Sequence, residues 1–345
     1  MRGSLGAMTR LKDVAEAAGV SPSVASRVLN DDADARINPE TRKRVLAAAA
    51  RLNYVPDHRA RALRLSRAGA IALVVPEVNN AIFASLYQGV QETCQDAGSA
   101  VLLGQLTAQS GGRNGLASLI GNGRVDGVIL QRAEGISDES LRSLITVPSP
   151  VVLFNSRLDD HVGSVALDDH QALKIALDHL VSLGHRDVGF LAGADQHDAA
   201  TRRMDAFTSY SAALGMSTRP EWVQPAGWEA LGGAAGMRRL LASGTLPTAM
   251  IAASTNAAVG ALSAALQAGV SVPRDLSLLC IQDAWVVEYT TPTITAVAMP
   301  MHAAGTMAAS MLLRHLAGAP LEDVVMTQPR PVLHARASTA PAPSR

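Results

Sequence analysis

Ser23, Ser26, Arg27 and Asn30 fall at 0, 3, 4, 7 spacing, which on a helix lines four polar side chains along one stripe. The chemistry open to such a stripe is the reading of DNA. A major groove admits one α-helix, and short hydroxyls near the helix N-terminus reach base edges without steric conflict. Arg27, the only long side chain of the four, would give a guanine a bidentate contact or clamp a phosphate. Ser23 would read a base edge, while Ser26 and Asn30 would touch the backbone. The competing reading is an ordinary pair of helices with a solvated face.

The elements that must hold this stripe are legible on either side of it. Leu11, Val14, Ala15 and Ala18 recur at i, i+3, i+4, i+7 and predict a first helix. Gly19 is free to take positive φ, and Ser21 with Pro22 forms a cap and first-turn pair that starts a second helix. On that helix Ala25, Val28 and Leu29 point away from the polar stripe. Asn38-Pro39-Glu40 predicts the start of a third helix, with Val45, Leu46, Ala49 and Leu52 as its apolar stripe, running to about Asn53. The cluster Thr41 to Arg44 lies near its beginning and is either a phosphate contact or a solvated basic face.

The stretches LKDVAEAAGVS and SRVLN, followed by LNYVP, resemble the DNA-binding end of the lactose-repressor (LacI/GalR) family. The resemblance continues through VDGVIL at 125–130, HLVSLGHRDVGFLAG at 179–193, GVSVPRDLSLLCIQD at 269–283 and YTTPTITAV at 289–297, so it spans nearly the whole chain. It implies a sequence-specific transcription regulator, a repressor, acting as a homodimer on palindromic double-stranded operator DNA. Carried over by position, the DNA contacts would be Leu11, Ser21, Pro22, Ser23, Ser26, Arg27 and Asn30. From the hinge at 56–68 would come Ala60 and Leu63. Leu63 matches a leucine that wedges into the minor groove when the hinge folds on DNA; alternatively the segment is a flexible linker and Leu63 packs on the body. Val24-Ala25 stands where the family usually has Thr-Val, which removes a hydroxyl used on phosphate.

A formal net charge of +0 over 345 residues looks unpromising for a nucleic-acid partner, but its distribution reverses that. Residues 1–67 carry 13 basic against 7 acidic residues, and the remainder 17 against 23. A basic head on an acidic body fits DNA binding joined to sensing. Aromatics are only 3%, which disfavours base-stacking binding of single strands. No stretch approaches a membrane span, and MRGSLGAMTR has no apolar signal region, so the expected location is the cytoplasm. Cys94 and Cys280 show no CxxC pairing and are expected to be buried small hydrophobes. Met8 is an alternative start.

From Ala70 onward short apolar runs alternate with longer amphipathic stretches. Strands are expected at 71–75, 100–104, 127–131, 151–155, 188–192, 249–253 and 278–282, with helices between them. The expected fold class is an N-terminal all-α helix-turn-helix headpiece plus an α/β periplasmic-binding-protein-like body of two doubly wound parallel-sheet subdomains. The expected domains are an extension at 1–8, the headpiece at 9–55, the hinge at 56–68 and a core at 69–335 for effector binding and dimerisation. Within the core the N-subdomain takes about 69–165 plus 297–325 and the C-subdomain about 166–296. The resemblance implies three crossings between the halves, with the last strand and helix, about 297–316, returning to the N-terminal half. The Pro, Ala and Ser-rich segment within 336–345 reads as a disordered tail, without leucine heptads for tetramerisation.

Ligands in open α/β sheets bind at strand carboxyl ends. By resemblance, the effector cleft would take Asn80, Phe83 and Asn155 from one half and Arg203, Trp228, Ser254 and Gln282 from the other. Arg203 would hold effector oxygens with its planar fork, or else form a surface ion pair. Trp228 would offer a face to a sugar ring, or else sit in the core; Trp222 and Trp285 have weaker claims. Ser254-Thr255 replaces the family's usual Asn-Asp, and Gln282-Asp283 its frequent Asp-Asp. Gln loses a charged acceptor and gains a donor, which points to an effector that is not a plain hexose and carries a carboxylate or phosphate. The partner is thus a sugar-like or acidic metabolite.

No HExxH, GxSxG, P-loop or complete GxGxxG appears, and the nine histidines show no metal-ligand spacing. His179 and His185 read as structural. The expectation is no enzyme, no cofactor and no metal. A solute-binding protein or an enzyme on the same scaffold is the alternative; the first has no use for the helices at Leu11 to Asn30.

Overall fold

The computed structural model describes residues 9–29, 35–54, 67–106, 123–145, 149–158, 162–194 and 197–343. The expected contacts Asn30, Ala60 and Leu63, and the hinge from 56 to 66, lie outside the described residues. The chain divides into two compact units, 1–67 and 68–345.

The first unit holds helices α1 (Leu11–Ala18), α2 (Pro22–Leu29) and α3 (Pro39–Arg51). Helices of 8 to 13 residues are marginal alone in water, so packing must hold them. Val14, Ala15 and Ala18 of α1 meet Ala25 and Val28 of α2 and Val45, Ala48 and Ala49 of α3 in one buried cluster. Leu46 is not part of it: it is 48% exposed, and Ala48 takes the inward position, because 45, 48, 49 and 52 is the run that keeps to one face. Gly19 ends α1 with φ 66°, in the left-handed region. Ser21 Oγ accepts from the amide of Val24, and Asn38 Oδ1 from that of Glu40, so the starts of α2 and α3 are capped as the residue types predict.

The second unit contains two six-stranded sheets. The first has strand order β11-β5-β4-β3-β1-β2, all parallel, from β1 (Ala70–Val75), β2 (Ala100–Gln105), β3 (Gly127–Gln131), β4 (Val151–Phe154), β5 (Gly163–Leu167) and β11 (Asp323–Met326). The second runs β12-β10-β9-β8-β6-β7, from β6 (Val188–Ala192), β7 (Val223–Pro225), β8 (Ala249–Ala252), β9 (Ser277–Ile281), β10 (Thr295–Ala298) and β12 (Val332–His334), with only β12 antiparallel. Central strands buried on both faces explain their unbroken apolar runs, as in β1, where all six residues are buried. Both carboxylate oxygens of Asp126 accept from the amides of Ala68 and Gly69, which fixes the entry into β1.

Helices α4 (Ile82–Asp96) and α10 (Met301–Leu316) pack on the first sheet, and α6 (Asp169–Ser182), α7 (Asp198–Ala213), α8 (Ala230–Ala242) and α9 (Thr255–Gln267) on the second; α5 (Asp138–Ile145) follows β3. Gly305 allows α10 to lie against α4, since a Cβ there would meet the Leu86 carbonyl oxygen at 2.2 Å. Cys94 and Cys280 are free and buried.

Two expectations change here. The strand at 295–298 stays in the C-terminal sheet, beside β9 and β12; only α10 and then β11 return to the N-terminal half. Residues 336–343 are held in place, not disordered: Ser338 is fully buried, accepting from the Thr295 amide and donating to the Leu278 carbonyl. His185, whose other ring nitrogen bonds Thr248, holds it through the carbonyl of Ala340, and His179 through the hydroxyl of Thr339. Those hydrogen bonds offset the ordering entropy that composition alone would leave unmet.

Candidate functional site

In the headpiece, Ser23 and Arg27 of α2 are exposed, on the face opposite Ala25 and Val28. Ser26 is half-buried and has a partner; Leu11 is half-buried against the three-helix core. Ser21 and Pro22 stand at the exposed start of α2, where Ser21 spends its hydroxyl on the cap.

In the second unit a cavity of about 320 Å³ opens between the two halves, at the carboxyl ends of β1, β3, β4, β6, β8 and β9. All seven residues expected from the sequence line it: Asn80, Phe83 and Asn155 from the N-terminal half, and Arg203, Trp228, Ser254 and Gln282 from the C-terminal half. Asn155 (φ 53°) and Gln282 (φ 75°) both hold left-handed backbones directly after their strands. For Gln282 that conformation costs about 1 kcal/mol or more, the kind of strain that surrounding contacts hold in place at binding sites.

Arg203 is completely buried. Its Nε donates to Asp169 at 2.7 Å and its Nη1 to the carbonyl of Ala253, so only Nη2 is left without a partner. The expected fork for a carboxylate is thus mostly spent inside the protein. Asp169, itself buried, also takes Arg202 at 2.8 Å, and Arg202 reaches Asn155 Oδ1 of the other half. Trp228 has Arg203 over its ring at 5.4 Å and His197 edge-on at 5.0 Å, and its Nε1 has no partner. Gly193 makes room for that ring, as a Cβ there would lie 2.6 Å from it.

The hydroxyls of Ser254 and Thr255 stitch the cleft loops together. Ser254 accepts from the Ala257 amide, capping α9, and donates to the Trp228 carbonyl at 2.8 Å; Thr255 donates to the Gln282 carbonyl at 2.9 Å. Asp283 faces elsewhere, receiving Arg336 at 2.8 Å and His334 at 2.6 Å. Trp222 is a core residue bonded to Thr245, and Trp285 is 65% exposed beside Tyr289.

Sequence reasoning missed Glu77, Gln131, Arg132, Glu134, His197 and Glu229, which also line the cavity. The only signal for them was position just after a strand. Arg132 pairs with Asp138 and lies 3.7 Å from Asp198. His197 is 3% exposed; burial first, then the charge of Arg132, push its pKa down to about 4. The imidazole donates to the Arg132 carbonyl, and its Nδ1 has no partner. That assigns Nε2 as the donor and leaves Nδ1 a neutral acceptor. Burial, and beyond it the charges of Glu77 and Glu134, raise the pKa of Glu229 against a hydrogen bond from Asn256. Among the described residues no group of three or more His, Cys, Asp or Glu could hold a metal.

A headpiece with an outward Arg27 and a polar cleft between two sheets agree with what comparison finds. The domain model described as "Bacterial regulatory proteins, lacI family" matches residues 10–57, and "Periplasmic binding protein-like domain" matches 177–339. The HTH-type transcriptional regulator MalR of Streptomyces coelicolor is 33% identical, over 97% of this chain and 98% of its own. The chain belongs to the lacI family. An uncharacterized HTH-type regulator from the aml 5' region of Streptomyces limosus is 32% identical over 97% of this chain and 95% of its own. A lacI-family regulator from Mycobacterium smegmatis has 43% identity and a TM-score of 0.75, covering 79% of this chain and 99% of that one. The lac repressor dimer bound to operator, 24% identical with a TM-score of 0.80, shares the fold over 97% of this chain. As a lacI-family member the protein is a DNA-binding transcription regulator.

Proposed function

We propose that this regulator is a cytoplasmic homodimeric repressor that docks α2 of each headpiece in a half-site of a palindromic operator and gives up that affinity when a small molecule fills the cleft. The observation that carries the reading is one chain holding both an exposed Ser23/Arg27 face and a cavity lined by single unpartnered polar atoms of Gln131, His197, Arg203 and Trp228. Several relatives are named repressors, among them the ribose operon repressor of Haemophilus influenzae, 28% identical over 90% of this chain. A twofold protein suits a twofold operator, and exposed Leu102 and Leu103 on edge strand β2, with Trp285 and Tyr289 in the other half, offer apolar surface to a second copy. The cleft spans two halves that can change their relative angle, and linkage then requires operator and ligand to alter each other's affinity by the same factor. Nothing in this mechanism calls for turnover, so the chain acts as a switch and not as an enzyme.

Footprinting on the DNA flanking its own gene, at fixed salt, tests this. A protected palindrome is expected, weakened by Arg27→Ala by about 1–3 kcal/mol and weakened also by Leu63→Ala. Binding that ignores sequence and both substitutions would overturn the reading.

A further inference from the structure

The space for a ligand does not end at Trp228. A second cavity, of about 470 Å³, abuts the first and shares Glu134, Trp228 and Glu229 with it as lining. One wall is the face of α8 that carries Leu231, Ala235 and Arg239, at i, i+4, i+8 spacing. Another is Pro225, Ala226 and Gly227, at the end of β7. Arg239 ties the two walls together, its guanidinium donating to the side chain of Gln224 and to the carbonyl of Pro225.

The two cavities differ in chemistry. In the deeper one His197 Nδ1 and Gln131 Oε1 can accept, Arg203 Nη2 and Trp228 Nε1 can donate, and none of the four has a partner. His197 and Arg203 are both over nine-tenths buried, so these atoms meet their match only in a ligand. Donors and acceptors side by side suit hydroxyls, which both give and take hydrogen bonds, and about 320 Å³ holds a sugar ring. The second cavity instead presents the apolar side chains of Pro225, Ala226, Leu231 and Ala235. Leu231 is 81% exposed, and an apolar group seated against it would take both surfaces out of water.

We propose that the ligand of this cleft is a glycoside with an apolar aglycone. Its sugar ring lies in the deeper cavity with hydroxyls bonded to His197 and Arg203, and its aglycone passes Trp228 to rest on Leu231 and Ala235. This rests on the reading of the cleft as the effector site, and it adds a second subsite to that reading. A second sugar ring suits the outer space less well than an apolar group. Its hydroxyls would give up water against Pro225, Ala226, Leu231 and Ala235 without replacing those hydrogen bonds.

The test is calorimetric titration of the full chain with phenyl and methyl α- and β-glucosides and galactosides, beside the free sugars and their glucose-linked disaccharides. A phenyl glycoside is expected to bind about tenfold tighter than the methyl glycoside of the same sugar, since burying most of a phenyl ring is worth about that factor. Leu231→Ser, at an exposed position and so unfolding at the wild-type temperature, should narrow that preference. Ala235→Phe, which fills the outer cavity with a ring of the protein's own, should narrow it as well. Equal binding of phenyl and methyl glycosides, tighter binding of a disaccharide, a preference that both variants leave intact, or no binding of any glycoside overturns the proposal. A free sugar or disaccharide that binds tightest and releases operator DNA would sink the aglycone yet leave the effector site standing. Glycosides that show the expected preference without altering operator affinity would bear out the outer subsite and count against the effector reading.

Discussion

On the C-terminal wall of the cleft Arg203 is held by Asp169 and Ala253, Ser254 caps α9 while holding Trp228, and Thr255 holds Gln282; every one of these side chains but Trp228 is buried. On the N-terminal rim Glu134 is exposed, Glu77 and Asn80 are half-buried, and Asn80 Oδ1 accepts from the Ile82 amide at 3.3 Å. One wall is fixed before a ligand arrives. The other is more open to solvent. A ligand therefore meets a C-terminal wall whose side chains are already held, which lowers the ordering cost of binding there.

Substitutions should separate the walls in a graded way. The largest effect is expected for Asp169→Ala, which strands Arg202 and Arg203 next to the cleft without their shared carboxylate; urea unfolding should show a loss of about 3–5 kcal/mol. Next comes pH. The folded pKa of His197 near 4 lies below the ordinary histidine value of 6.5, so the folded state binds fewer protons than the unfolded chain between those values. The stability it contributes is whole above about 6.5 and is lost as pH falls toward about 4. Between pH 7 and pH 5 wild type should lose about 2 kcal/mol more than His197→Asn does. Ser254→Ala removes a cap and leaves the Trp228 carbonyl unmatched, for about 1–2 kcal/mol by the same urea titration. Smallest should be Glu77→Gln on the rim, within about 0.5 kcal/mol in stability. A large loss there, or none at Asp169, would erase the contrast between the walls.

What the sequence made legible follows from where the physical signal lies. The headpiece announced itself because capping types, a left-handed glycine and a 3.6-residue period all agree over twenty residues. Leu46 misled because 45, 46, 49 is also a helical spacing, and only the packed core chooses between neighbouring arcs. The cleft residues lay inside recognisable motifs, but Glu77, Glu134, His197 and Glu229 sit in loops after strands, where no periodicity operates. Composition described the tail through its own residues; the order there comes from Leu278, Thr295 and His185, far away in sequence. The three-residue strands β7 and β12 are too short to carry any alternation.

The chain passes between the halves between β5 and α6, between β10 and α10, and between β11 and β12. Each half is thus assembled from pieces distant in sequence, and no single cut of the backbone frees either one. A protease nicking one connection would leave two others bridging the halves, and a ribosome releasing the first 300 residues would not yet have delivered β11 or β12 to the sheet edges they complete. The two halves must therefore mature together, and a truncation meant to isolate either would remove strands from both.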